Sequence, residues 1–145
     1  MRAEGSLSTG LPDLDQVLRG IAAGDNLVWR VESIEEYQAF VEPYCTHVLG
    51  SGGNITYLRF AKHKPVVEKS PGVEVHELDP KIGFEPFVAC IQKIIEEVGP
   101  TGFYVFDCLS ALVVGWCSDR MLGNFFMLTC PYVSDDGAVA YFALL

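Results

Sequence analysis

The chain has 145 residues, half of them apolar and 12% aromatic, so the length prior is one domain with enough hydrophobic side chains for a sizeable core. It carries 10 Lys and Arg against 19 Asp and Glu, a formal net charge of −9. So few cations cannot neutralise a run of phosphates, which argues against a nucleic-acid partner. Residues 1–20 lack an apolar signal-peptide core, and no run of 18 apolar residues suggests a membrane span. The expectation is a cytoplasmic protein. Cys45, Cys90, Cys108, Cys117 and Cys130 are odd in number and show no C-x-x-C pair, which reads as free thiols in a reducing compartment. His47, His63 and His76 show no ligand spacing to them, so spacing gives no metal site and no cofactor.

In chain order, residues 1–10 read as a small, polar, extended arm. Leu14, Val17 and Leu18 give a short amphipathic helix over 13–19, closed by Gly20. Asn26–Val31 reads as a first strand. Ser33-Ile34-Glu35-Glu36 has the S-x-x-E pattern that starts a helix. That helix carries Ile34, Tyr37, Val41, Tyr44 and Val48 on one face, Pro43 inside it, and Gly50-Ser51-Gly52-Gly53 at its end. This glycine cluster follows a helix and precedes a strand, the reverse of a phosphate loop, so it reads as a cap and turn.

Asn54–Phe60 is a second strand and Val73–Leu78 a third, at an edge. Between them Lys62, His63 and Lys64 form the one basic cluster, a candidate anion site at the end of a strand. Residues 82–98 have the clearest helical stripe, with Phe87, Val88, Ile91, Ile94 and Ile95 among its apolar members. Phe103–Phe106 is a short apolar strand ending in Asp107. A helix is expected around 119–130, ended by Pro131, then a turn over Val133–Gly137 and a last strand over Ala138–Leu145. Alternating strands and helices predict an α/β fold: a mostly parallel sheet with helices on both faces, in three layers. A chain stopping at an apolar strand is expected to leave that strand as an open edge, which reads as the N-terminal part of a longer protein or as an edge met by a partner.

Two segments carry a family resemblance. Residues 6–28, Ser-Leu-Ser-Thr-Gly-Leu-Pro-Asp-Leu-Asp-Gln-Val-Leu-Arg-Gly-Ile-Ala-Ala-Gly-Asp-Asn-Leu-Val, resemble the opening of the RecA/KaiC-type P-loop ATPase core. Phe103-Tyr104-Val105-Phe106-Asp107-Cys108-Leu109-Ser110 resembles its Walker B stretch, with Asp107 at the position that holds the magnesium shell. The resemblance implies a RecA-like P-loop NTPase core. Yet where the phosphate loop belongs, the chain reads Trp29, Arg30, Val31, Glu32, Ser33, with no glycines and no lysine. The glutamate that the family places after the second strand to activate water is also missing; Phe60-Ala61-Lys62-His63 stands there. Losing both removes the basis for ATP hydrolysis, so no catalytic residue is assigned and the core reads as degenerate.

Further segments, including Val73-Glu74-Val75-His76-Glu77-Leu78-Asp79-Pro80 and Met121-Leu122-Gly123-Asn124-Phe125-Phe126, resemble the N-terminal region of bacterial multidomain proteins of the phosphoenolpyruvate synthase/pyruvate phosphate dikinase-like kind. That resemblance implies a pseudo-ATPase module with an assembly or regulatory role, its partners being copies of itself or other domains of the parent protein. A nucleotide or small-anion sensor using Lys62, His63 and Asp107 around the strand ends is the alternative. A metal-assisted phosphotransfer through Asp107 is a third, weaker one.

Overall fold

A computed structural model describes residues 7–145. Five parallel strands form one sheet: β1 (Asn26–Arg30), β2 (Ile55–Arg59), β3 (Val73–Glu77), β4 (Phe103–Asp107) and β5 (Val139–Leu144), in the order β1-β5-β4-β2-β3. The helices are α1 (Pro12–Leu18), α2 (Ile34–Gly50), α3 (Phe84–Val98), α4 (Leu109–Trp116) and α5 (Asp119–Asp135), with a single 3-10 turn at Pro80–Ile82.

The two faces of the sheet build two separate cores. On one face α2 buries Tyr37, Val41, Tyr44, Cys45 and Val48 against Ile55, Tyr57, Val105 and Tyr141. Two tyrosines of α2 also reach the sheet backbone: Tyr37 Oη donates to the Phe106 carbonyl at 3.1 Å, and Tyr44 Oη to that of Val139 at 3.4 Å. On the other face α3, α4 and α5 close over Leu58, Tyr104, Phe106 and Phe142. This second core is aromatic: Phe106 stacks on Phe142 with centroids 4.4 Å apart, and Phe87 meets Phe60, Trp116 and Phe125. The expected α/β class with helices on both faces is therefore observed, as is the edge position of β3.

Several expectations need correction. The final strand is no open edge: β5 is paired with β1 on one side and β4 on the other, so the edge argument about the chain's end falls away. Pro131 lies inside α5 instead of ending it. Pro131 is itself exposed, and Met127, whose carbonyl its missing N–H would have met, stands in solvent; water can satisfy the freed group there. The segment after Asp107 forms α4, which the apolar run concealed because it has no polar face to set a period. The helix α1 buries none of its residues, and Val17 stands in solvent. Strands and helices do not alternate throughout, because β2 reaches β3 through a loop without a helix. Ile82, assigned to the long helix, belongs to the 3-10 turn before it and is half exposed. Of the expected N-terminal arm, residues 1–6 lie outside the described residues, and Leu7 makes a single bridge to Ile21.

The resembling N-terminal segment has a defined local role. Asp15 of α1 accepts from Thr9 N at 2.8 Å and Thr9 Oγ1 at 2.6 Å, and also from Ser8 Oγ. Gly10 then passes beside α2 at φ +80°, where a Cβ would stand 2.1 Å from the Pro43 carbonyl oxygen. The Ser-Thr-Gly run and the aspartate six residues after the threonine thus form one clamp that ties the N-terminal segment to α1, with Gly10 passing close against α2.

Candidate functional site

In an open parallel sheet, ligands bind beyond the carboxyl ends of the strands, where neighbouring strands send their chains in opposite directions. Here that point lies between β2 and β4: β2 continues outward to β3, and β4 turns back to β5. The register pairs Arg59 with Asp107 at this crevice.

Asp107 is fully buried. Its Oδ2 accepts a hydrogen bond from Tyr57 Oη, and the same hydroxyl accepts from Val66 N at 3.2 Å. Burial first, then the neighbouring Asp107, raises the Tyr57 phenol far above its ordinary range, so it stays protonated and donates. His63 Nε2 stands 2.6 Å from Asp107 Oδ1, but the two atoms lack the alignment of a hydrogen bond and have no other partner. Cys108 follows directly; burial raises its thiol above the ordinary value. One ligand atom from each of His63, Asp107 and Cys108 lies within 4.8 Å of the others.

The loop over 60–72 roofs this cluster and is pinned in three ways. Val66 and Val67 are buried, Val66 N bonds to Tyr57, and Arg59 Nη2 donates to the His63 carbonyl. Arg59 Nη1 lies 3.8 Å from exposed Glu77, while Arg59 Nε is buried without a partner. Beside the cluster a cleft of about 530 Å³ opens between α2, β2, β3 and this loop. Its walls bring Arg59, Lys64 and Lys69 together with Glu68, Glu77 and Tyr57.

The basic triplet therefore separates. Lys64 lines the cleft, His63 turns to Asp107, and Lys62 lines a different depression beside Phe60, Pro80 and Ala111. His63 and Asp107, both placed at strand ends by the sequence, do come together. Tyr57 and Arg59 carried no sequence signal for this site, because only the β2–β4 register puts them beside Asp107. Cys108 is its chain neighbour and gave no signal because the cysteines show no ligand spacing.

At the end of β1 the geometry is different. Three residues, Val31, Glu32 and Ser33, connect β1 to α2. Ser33 Oγ accepts from Glu36 N at 3.2 Å, taking up one of the free N–H groups at the helix start. Glu35 and Glu36 fill the first turn with negative charge. Trp29 points to the α2 face, stacked on Phe40 with centroids 4.3 Å apart and tilted against Tyr141. Arg30 is exposed, and among the described residues it pairs with neither Glu32 nor Asp107.

Among the described residues, no helix is long and apolar enough to cross a membrane. No family model matches the chain, and no curated protein does either.

Proposed function

We propose that this chain is a degenerate RecA/KaiC-type core that neither binds nor hydrolyses nucleotide, and that it serves as an assembly or regulatory module of a larger phosphoenolpyruvate synthase/dikinase-like protein. The observation that carries the reading is the β1–α2 connection. A phosphate loop needs several converging backbone N–H groups and a lysine. Three residues closed by the Ser33 cap, followed by Glu35 and Glu36, offer a nucleotide neither. The assembly half draws on β1, which among the described residues is an edge strand paired only with β5 and exposes Val28, and on Val114 and Met127, which stand in solvent on α4 and α5. Phosphate release from ATP with magnesium, measured beside sedimentation velocity over a concentration series, tests both halves. The reading expects no release above background and a concentration-dependent association; turnover that follows the protein through purification contradicts it.

The second reading, a small-anion sensor, is favoured by one observation: the cleft gathers Arg59, Lys64 and Lys69 against two carboxylates. Calorimetric titration with pyrophosphate tests it. Saturable heat that Lys64→Ala and Lys69→Ala together remove supports it, and its absence in the unaltered protein ends it.

A further inference from the structure

We propose that His63, Asp107 and Cys108 form a binding site for a divalent transition metal of the zinc class, at the carboxyl ends of β2 and β4. The three donor atoms lie within 4.8 Å of one another. They comprise an imidazole nitrogen, a carboxylate oxygen and a sulfur, the mixture that zinc and its neighbours take and that magnesium and calcium do not. Asp107 supplies the independent sign of a missing ligand. It is fully buried, and its Oδ1 has no aligned hydrogen-bond partner. Tyr57 serves its other oxygen, and Oδ1 faces only the unaligned His63 Nε2 at 2.6 Å, an arrangement that is costly for a buried carboxylate unless a positive charge sits between or beside them. The guanidinium of Arg59, the register partner of Asp107, turns to Glu77 and the His63 carbonyl.

A divalent ion balances the charges. Cys108 binds as the thiolate, its proton passing to solvent; with the Asp107 carboxylate it contributes two negative charges, and the imidazole of His63 stays neutral. The geometry needs one small adjustment. Two ligands on bonds of ~2.0 Å at a tetrahedral angle sit ~3.3 Å apart, against 2.6 Å for His63 Nε2 and Asp107 Oδ1. Rotation about the His63 side-chain torsions can supply that shift while the pinned loop backbone, Asp107 and Cys108 stay in place. With three protein ligands the fourth position is left open. The His63 side chain is 22% exposed, but its Nε2, Asp107 and Cys108 are buried, so entry of the ion requires His63 to swing aside. Tyr57, already bonded to the second oxygen of Asp107, holds that carboxylate in orientation. The site involves neither the β1–α2 connection nor any nucleotide, so it stands or falls separately from the pseudo-ATPase reading.

Cobalt(II) is the probe, because a thiolate ligand gives it a near-ultraviolet charge-transfer band and tetrahedral geometry gives intense visible bands. The full chain is titrated with cobalt(II) alone, then with zinc(II) to displace it. The expected result is one ion per chain with a charge-transfer band. Cys90→Ser/Cys117→Ser, which removes the two exposed thiols, retains that band. Cys108→Ser abolishes it, and His63→Ala weakens affinity beyond the roughly 10–100-fold that loss of an outer-shell partner costs. His63→Ala is the deciding variant should Cys108→Ser fail to fold, since it alters only the loop; circular dichroism of each variant establishes the fold. Absence of one-to-one binding overturns the proposal. So does wild-type affinity in His63→Ala, or loss of the band in Cys90→Ser/Cys117→Ser.

Discussion

Tyr57 and Asp107 are joined by a hydroxyl that works in two directions: it donates to the buried carboxylate and accepts the Val66 N–H of the loop above it. One side chain on β2 therefore fixes both the end of β4 and the roof of the candidate site. Tyr57→Phe removes both bonds and leaves a buried charge and a buried N–H short of a partner. The expected cost is roughly 1–3 kcal/mol, read from urea unfolding midpoints at constant slope. A midpoint equal to that of the unaltered protein would show that the bridge contributes nothing.

The clamp at the N-terminal segment is sensitive to acid. Burial pushes the Asp15 carboxyl upward, but hydrogen bonds from Ser8 and Thr9, with His47 nearby, outweigh it and hold the group below its ordinary 3.8. A carboxyl lowered by folding contributes stability above its unfolded value and loses it as pH falls through the folded one. Asp15→Ala is expected to cost about 1–2 kcal/mol near neutral pH. The difference between the two proteins should shrink once the pH drops below 3.8. A difference that stays constant on acidification would assign the effect to packing and not to the charge.

Two glycines should respond oppositely to alanine. At Gly10 a Cβ meets the Pro43 carbonyl at 2.1 Å in a left-handed backbone, so α2 or the N-terminal segment must shift. Gly10→Ala is expected to destabilise by roughly 2–3 kcal/mol. Gly123 lies within α5 and nothing stands within 4 Å of its would-be Cβ. Gly123→Ala is expected to stabilise by roughly 0.5–1 kcal/mol. Thermal unfolding of both, side by side, checks the pair; a stable Gly10→Ala would mean that the clamp is not tightly packed.

The strand and helix pattern was largely legible because burial imposes it locally. The α3 stripe from Phe87 to Ile95 and the Ser33 start of α2 are local signals, and each is found where the sequence puts it. Order across the sheet is not local. That β5 inserts between β1 and β4, removing the expected edge, depends on which strands meet, and an apolar run does not encode that. Pro131 misled because the cost of an internal proline depends on whether the freed carbonyl meets water. At the candidate site, the strand-end rule located His63 and Asp107 one at a time. Ligand spacing missed their association with Cys108, because the group assembles across two strands through the pairing of Arg59 with Asp107. Trp29 and Arg30 mark a changed β1–α2 turn in the sequence, but the stacking of Trp29 on Phe40 required α2 in place.

The most direct test of the pseudo-ATPase reading is a thermal-shift titration of the protein with ATP and ADP, each with and without magnesium. A ligand at 100 times its Kd adds roughly 2.7 kcal/mol, which for a domain of this size is about 5–10 °C. The Ser33-capped turn predicts no saturable shift with either nucleotide at millimolar concentration. A saturable, magnesium-dependent rise in Tm would contradict the account and return Asp107 to the role of a magnesium-shell carboxylate.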